Sequence, residues 1–232
     1  MLANVYCLPG TMCDERLWDY TQQALGESII LKHVYIPMEE TIETIVDALA
    51  VILPEHPINL LGFSMGGYLA CAFAVKYPER VNGLIVVSNT ATSLLDSERQ
   101  QREIALNWVT KQGYGGIPKK KVIIMLGQAN KVREELVECI QSMDKRLGGT
   151  IFIQQLKSSL VRPNLLPRLE KTAFPLCFAI GSDDALLSNA VLDKMKDSER
   201  FNVHVVDECG HMLPMEQPTW LAELIKRFFK GN

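Results

Sequence analysis

The sequence has few of the features that mark a disordered, disulfide-rich or membrane-spanning chain. Its 232 residues are 47% hydrophobic and 22% charged, an ordinary balance that excludes a disordered or collagen-like protein. None of its apolar runs approaches the roughly 20 residues that cross a bilayer. It also has no internal repeat and no low-complexity segment. At about 150 residues per domain, the length favours one large domain, or one domain with an insertion.

Charge and cysteine usage exclude further classes. The chain has 24 Lys+Arg and 27 Asp+Glu, so it lacks the basic excess of a nucleic-acid binder. Its six cysteines are scattered, with no C-x-x-C pair and no cluster with histidine at metal-ligand spacing. The first residues lack the basic and apolar regions of a secretory signal. We therefore expect a cytoplasmic protein with reduced thiols, no cofactor, no metal, and no nucleic-acid or membrane partner.

Short apolar runs alternate with helical patterns along most of the chain. The pattern predicts six strands, at 3–8, 28–36, 59–64, 83–88, 175–181 and 201–207. It predicts helices between and after them, at 16–25, 41–53, 65–77, 188–197 and 218–230. Such alternation is typical of an α/β fold, in which a mostly parallel sheet of about six strands is flanked by helices on both faces.

Residues 93–168 differ from the rest in both pattern and charge. They read as helical throughout, so we predict a helical insertion there and a core domain formed by 1–92 and 169–232. The insertion has 13 basic and 7 acidic residues, a net charge of +6, whereas the remainder carries −9. A solvated helical surface would account for this asymmetry, and so would an insertion that faces an anionic substrate or an acidic partner.

Ser64 is the candidate nucleophile. It lies in Gly62-Phe63-Ser64-Met65-Gly66, a G-x-S-x-G pattern that follows a predicted strand and opens a predicted helix. A sharp strand-to-helix turn of this kind holds a serine hydroxyl clear of the sheet. The backbone N–H of Met65, at the start of the helix, can then donate to an oxyanion. The bland alternative is an ordinary glycine-rich turn between a strand and a helix.

A serine hydroxyl needs a base, and His211 is the candidate. It alone among the four histidines follows the carboxyl end of a predicted strand, where the functional sites of open α/β sheets gather. His33 and His204 lie inside predicted strands, and His56 precedes the strand that leads to Ser64.

The base needs an acid to orient it, and several aspartates are candidates. Asp183 and Asp184 follow the strand 175–181 and lead by position, while Asp207 at the end of the next strand is less favoured. Cys13 and Cys209 lie near the candidate site, but neither has a base at an evident spacing, so we expect inert thiols.

These motifs and their order resemble the α/β-hydrolase superfamily over nearly all of the chain. The family's acid ends a G-x-x-D pattern, which here implies Asp184, and the segment 210–218 resembles the family's histidine loop. The first strand of the family leads into His-Gly, whereas this chain has Pro9-Gly10. The resemblance then implies that the N–H of Thr11 is a second oxyanion donor.

The resemblance also implies a function. Ser64, His211 and Asp184 would hydrolyse a small-molecule carboxylic ester or thioester through an acyl-enzyme, with the insertion as a helical cap. The layout is similar to that of small bacterial esterases such as the one that cleaves pimeloyl-carrier methyl ester, so an anionic or acyl-carrier-bound substrate is expected. Several apolar side chains of the insertion could line an acyl pocket, but their helical spacing favours internal packing for most of them, so they are not candidate site residues: Trp108, Met125, Leu126, Met143, Phe152 and Leu156.

Two alternatives stay open. One is a lyase of the same fold, similar to the menaquinone-pathway synthase, which abstracts a proton from a carboxylate-rich substrate. That enzyme has Arg after the second Gly of the serine turn, where this chain has Tyr68. The other is a non-catalytic receptor that keeps the fold and binds a small molecule.

Overall fold

A single six-stranded sheet forms the centre of the protein. The computed structural model describes residues 3–230, so residues 1–2 and 231–232, at the ends of the predicted core domain, lie outside it. All strands pair in parallel, in the order β2-β1-β3-β4-β5-β6, which confirms the predicted sheet. The strands are β1 (Ala3–Leu8), β2 (Ile29–His33), β3 (Ile58–Phe63), β4 (Val81–Val87), β5 (Leu176–Gly181) and β6 (Asn202–Val206).

The strand order reverses between β1 and β3. The chain runs from β1 outward to β2, and then returns across β1 to β3 on its other side. In open α/β sheets a crevice opens at the carboxyl end of the strands at such a reversal. The loops that carry Thr11 and Ser64 leave from these two strands, so the topology brings them together.

The helices of the core cover both faces of the sheet. They are α1 (Asp19–Leu25), α2 (Ile42–Ile52), α3 (Met65–Lys76), α8 (Asn189–Lys196), α9 (Leu213–Glu216) and α10 (Pro218–Lys230). Successive strand residues point to opposite faces, so Leu61 packs with α1, α9 and α10, whereas Leu60 packs with α2 and α3. The helix α3 is buried on nearly all sides against β3 and β4.

Between β4 and β5 the chain forms helices and loops, with no strand in residues 93–168. The helices are α4 (Asp96–Gln112), α5 (Lys119–Met125), α6 (Glu134–Ser159) and α7 (Leu166–Leu169). The longest, α6, is kinked at Gly148, whose φ of 75° is left-handed. Even so, none of the helices within residues 3–230 is both long enough and apolar enough to cross a bilayer.

One predicted strand is too long. The apolar run 28–36 continues past the end of β2 because Val34 and Ile36 are buried. However, β2 is an edge strand whose sole neighbour is β1, and β1 ends before Pro9. The last ladder contact is the hydrogen bond from the N–H of Val34 to the carbonyl of Cys7. The last buried apolar residue of the run, Ile36, therefore lies three residues beyond the end of β2 and two beyond this last contact.

Candidate active site

Ser64 lies on a strained turn between β3 and α3. Its φ of 50° and ψ of −117° are unusual for a residue with a side chain, and its N–H donates to the carbonyl of Val87 at 2.9 Å. A Cβ on Gly62 would collide with the carbonyl of Gly66, and a Cβ on Gly66 would collide with that of Leu8. The turn therefore requires glycine at both positions, and it presents the Ser64 side chain at the carboxyl edge of the sheet.

Asp184, His211 and Ser64 form one chain of hydrogen bonds. His211 Nε2 lies 2.9 Å from Ser64 Oγ, and His211 Nδ1 lies 2.9 Å from Asp184 Oδ2. Because a carboxylate can only accept, Nδ1 carries the proton and Nε2 is free to accept from the serine hydroxyl. The side chains of His211 and Asp184 are 5% and 1% exposed, so water does not compete for these contacts. The backbone N–H of Leu186 donates to Asp184 at 3.0 Å and helps to hold its carboxylate in place.

The other candidate acids point elsewhere. The exposed carboxylate of Asp183 accepts hydrogen bonds from the N–H of Gln128 at 3.0 Å and from the hydroxyl of Ser182 at 3.0 Å. These two bonds lower the pKa of Asp183. Asp207 is exposed at the end of β6. Of the three aspartates, it is Asp184 whose carboxylate reaches the imidazole of His211.

The other three histidines lie away from Ser64. His33 accepts a hydrogen bond from the indole of Trp18 at 3.2 Å, and burial lowers its pKa. His56 is exposed in the loop before β3, and His204 is half-buried in β6. None of the three lines the cavity into which Ser64 opens.

Two backbone N–H groups flank Ser64. Met65 is the first residue of α3, so its N–H has no partner within the helix. Thr11 lies in the loop that follows β1, on the other side of the crevice. Both residues line the cavity beside Ser64, and no group in residues 3–230 accepts a hydrogen bond from either N–H. The hydroxyl of Thr11 contacts the sulfur of Met65 at 3.6 Å, which joins the two sides of the crevice. The arrangement suits an oxygen that gains negative charge.

The comparisons with known proteins agree with this fold. A model described as the alpha/beta hydrolase fold matches residues 24–125. The structure superposes on that of a thermophilic esterase from Thermogutta terrifontis with a TM-score of 0.85. The superposition covers 99% of this chain and 90% of the esterase, whose structure is malate-bound, and the two sequences are 23% identical. The chain has the α/β-hydrolase fold.

Relatives of this α/β-hydrolase include enzymes of two kinds. It is 25% identical to a putative 2-succinyl-6-hydroxy-2,4-cyclohexadiene-1-carboxylate synthase of Bacillus subtilis, over 97% of this chain and 89% of that protein. It is 26% identical to the human monoacylglycerol lipase ABHD6, over 76% of this chain and 56% of that lipase. The esterase and lipase relatives support a hydrolase.

Sequence reasoning missed Gln155, which supports the loop that carries Thr11. The buried side chain of Gln155, on α6, accepts a hydrogen bond from the N–H of Met12 at 2.9 Å. Met12 has a φ of 58°, so this loop of the α/β-hydrolase is strained next to Thr11 and is held by a contact with the insertion. A contact between residues 143 positions apart leaves no local signal in a sequence.

Glu216 is a second residue that sequence reasoning did not single out. It is 4% exposed, and its carboxylate accepts hydrogen bonds on both sides of His211, from the N–H of Gly210 at 3.1 Å and from that of Met212 at 3.0 Å. It also accepts from the N–H of Gly127 at 2.7 Å and from the amide of Asn130 at 2.9 Å, both in the insertion. Burial raises the pKa of Glu216, and the four hydrogen bonds oppose that shift. Glu216 therefore ties the His211 loop to the insertion.

Replacing Glu216 by glutamine should destabilise the protein by about 2–4 kcal/mol, because an amide NH₂ would then face backbone N–H donors that are left without an acceptor. We expect a lower denaturation midpoint in urea. The exposed Glu223 of α10 is the matched control, since Glu223→Gln changes the same group without burial. Equal midpoints for the two variants would contradict the role assigned to Glu216.

The cavity at Ser64 is small and largely polar. Its volume is about 100 Å³, and Ser64, Met65, Thr11 and His211 form one part of its wall. The 88–93 segment after β4 and two arginines of the insertion form much of the remainder. Ligand pockets in proteins are commonly about 300–1,000 Å³, so this cavity suits a small substrate.

The apolar side chains of the insertion do not form an acyl pocket at Ser64. None of the six apolar side chains proposed from the insertion lines the cavity. Trp108 is 67% exposed, whereas Leu126, Met143 and Leu156 are buried, as their helical spacing suggested. The residues of the insertion that do reach the cavity include Arg102 and Arg162.

Burial also raises the pKa of all six thiols of the α/β-hydrolase. Cys13, near Thr11, reaches about 12, so it is protonated at neutral pH. Cys139 is half-buried, whereas the other five are buried.

We expect iodoacetamide to label Cys139 first in the native protein, because Cys139 is half-buried and the other five thiols are buried away from the reagent. Intact mass and peptide mapping would count and locate the adducts, with urea-unfolded protein as the control that labels at six positions. Early labelling of Cys13 or Cys209 would contradict the expectation.

Proposed function

We propose that this α/β-hydrolase cleaves a carboxylic ester or thioester with Ser64 as nucleophile, His211 as general base and Asp184 as the acid that orients it. The observation that carries the proposal is the continuous hydrogen-bonded chain from Asp184 through His211 to Ser64, with the serine open to a cavity. A hydroxyl, an imidazole and a buried carboxylate in this order are the requirements of nucleophilic acyl transfer.

Each step follows from this geometry. Ser64 Oγ attacks the carbonyl carbon as its proton passes to His211 Nε2, and the N–H groups of Met65 and Thr11 stabilise the oxyanion that forms. The bond to the leaving alcohol or thiol then breaks, and His211 returns the proton to it. Water, deprotonated by His211, attacks the carbonyl carbon of the acyl-Ser64 ester. The bond from that carbon to Ser64 Oγ then breaks, His211 returns the proton to Ser64 Oγ, and the acid is released. Asp184 stabilises the imidazolium at both stages.

The lyase alternative has one specific observation in its favour. The Bacillus subtilis relative that spans nearly the whole chain carries a synthase name. In such a reaction His211 and Ser64 would abstract a proton from the substrate, and no acyl group would be attached to Ser64. The position after the second glycine is Tyr68 rather than arginine, which weighs against this alternative.

Acyl-enzyme formation tests the proposal directly. We expect p-nitrophenyl acetate to give a burst of p-nitrophenol, and acid quenching to leave an acetyl group on the peptide that contains Ser64. A fluorophosphonate should label the same serine and abolish the burst. Slow release with no acetyl adduct would overturn the acyl-enzyme mechanism and favour the lyase, and the absence of both turnover and labelling would favour a receptor.

A further inference from the structure

Arg162 occupies a fixed position at the end of the insertion, beside the cavity. Its guanidinium lies 4.7 Å from the ring centroid of Tyr68, and its Nε donates to the carbonyl of Thr92 at 3.1 Å. The hydroxyl of Tyr68 in turn donates to the carbonyl of Pro163 at 2.6 Å, next to Arg162 in the chain. The stacking and both hydrogen bonds hold the guanidinium plane in one orientation.

The charge of Arg162 is only partly compensated, because Glu98, which also lines the cavity, acts on it from beyond ion-pair distance and raises its pKa. No carboxylate in residues 3–230 lies within ion-pair distance of it, and neither of its terminal nitrogens donates a hydrogen bond there. The other arginine of the cavity, Arg102, is paired with Glu98 at 2.9 Å and also donates to Ser159. Burial, together with the nearby Arg102, lowers the pKa of Arg162 to about 10, which still leaves it charged at neutral pH.

A half-buried cation that forms no ion pair is costly, so this arrangement favours an anion beside the guanidinium of Arg162. The two free terminal nitrogens form the planar fork that a carboxylate matches with two parallel hydrogen bonds. Ser88 also lines the cavity, and its buried hydroxyl has no hydrogen-bond partner among residues 3–230. The cavity therefore offers both a cation and a neutral polar group that its own side chains leave unused.

The cavity itself limits the size of that anion. Ser64 and Arg162 both line it. Tyr68, which the guanidinium of Arg162 contacts, lies one turn after Ser64 in α3, and its N–H donates to the carbonyl of Ser64 at 3.1 Å. Because the volume of the cavity is about 100 Å³, a ligand that reaches both groups must have a short chain between them.

We propose that the cavity binds esters that carry a second, free carboxylate, such as hemi-esters of short dicarboxylic acids, with Arg162 as the group that binds that carboxylate. The inference rests on the proposed function for the scissile ester and adds the substrate class. It also explains part of the positive charge of the insertion. Two basic residues of the insertion line the cavity, and among residues 3–230 Arg102 has an ion-pair partner whereas Arg162 has none.

A matched pair of substrates tests the inference without any mutation. Phenyl hydrogen glutarate and phenyl pentanoate have acyl chains of equal length and differ by a terminal carboxylate in place of a methyl group. We expect kcat/KM to be about 10- to 100-fold higher for the glutarate ester, from one charge-assisted pair of hydrogen bonds. Added salt should reduce this preference. Equal values for the two esters would overturn the inference and leave the hydrolase intact.

Three variants test whether Arg162 is the source of the preference for the glutarate ester. Arg162→Met removes the charge at similar length and should raise KM for the glutarate ester about 10- to 100-fold, with kcat/KM for the pentanoate ester little changed. Arg162→Lys should retain part of the preference. Arg99→Met makes the same change on the exposed surface of α4, away from the cavity, and should change neither ester. If the role of Arg162 were purely structural, Arg162→Met would instead lower kcat/KM for both esters alike.

Calorimetric titration of glutarate into the unmodified protein separates this inference from the proposed function, because it needs no turnover. We expect binding that is lost in Arg162→Met and kept in Arg99→Met, even if neither ester is hydrolysed. Absence of glutarate binding to the unmodified protein would overturn the inference. Tighter binding of inorganic phosphate than of glutarate would overturn the assignment of a carboxylate.

Discussion

Ser64→Ala should lower kcat for a short aryl ester by about 10⁵- to 10⁶-fold, the range seen when a serine hydrolase loses its nucleophile. The side chain of Ser64 donates to His211 and lines the cavity, so its removal deletes the attacking atom. Alanine has no greater difficulty than serine with the positive φ at this position. Steady-state turnover of p-nitrophenyl acetate, with circular dichroism to confirm folding, would measure the effect.

The control for this variant is Ser182→Ala. Ser182 is exposed near the carboxyl end of β5 and contacts Asp183 rather than His211, so its removal should leave kcat within about 2-fold. Glutarate binding should survive in Ser64→Ala, because that variant keeps the guanidinium of Arg162. Retention of more than about 1% of the turnover by Ser64→Ala would be incompatible with a serine nucleophile.

Asp184→Asn should lower kcat by about 10⁴-fold. An asparagine fits the same space, but its amide can donate to His211 Nδ1 and so favours the tautomer with the proton on Nε2. That tautomer cannot accept the proton of Ser64, and a neutral amide cannot stabilise the imidazolium. The effect should appear in kcat, with KM changed by much less, because Asp184 does not itself contact the substrate.

The neighbouring aspartate provides a stringent comparison. Asp183→Asn alters an exposed carboxylate that accepts from Gln128 and Ser182, and kcat should stay within about 3-fold of the unmodified protein. If Asp183→Asn abolished turnover while Asp184→Asn did not, the assignment of the acid would be wrong. The two variants differ by one position and have the same chemistry.

The sequence was sufficient to predict the sheet and the neighbourhood of Ser64. Buried parallel strands appear as continuous apolar runs, and the glycines around Ser64 mark a turn too tight for side chains. The alternation of strands and helices then predicts that Ser64 and His211 lie at the same edge, because both follow carboxyl ends of strands. Asp183 and Asp184 share this position, so the strand pattern alone cannot say which carboxylate faces His211; the G-x-x-D resemblance favoured Asp184.

The contacts made by the insertion could not be predicted in the same way. Helical periodicity indicates which side of a helix is apolar, but it does not say where that helix lies on the rest of the molecule. Gln155 reaches Met12, and Arg162 reaches Tyr68, only because the insertion folds back over the crevice. Helical spacing did favour internal packing for most of the apolar residues of the insertion, and Leu126, Met143 and Leu156 are buried, but Trp108 is exposed.

The contacts of Gln155 and Glu216 have a consequence for the evolution and engineering of this molecule. Excision of residues 93–168 would leave the amide of Met12 without its acceptor and would remove two of the four donors to Glu216. The sheet would keep its strands, but two loops that shape the crevice would lose their anchors. Replacing residues 93–168 by a different segment would therefore require equivalent hydrogen bonds to these two loops, as well as new residues at the cavity.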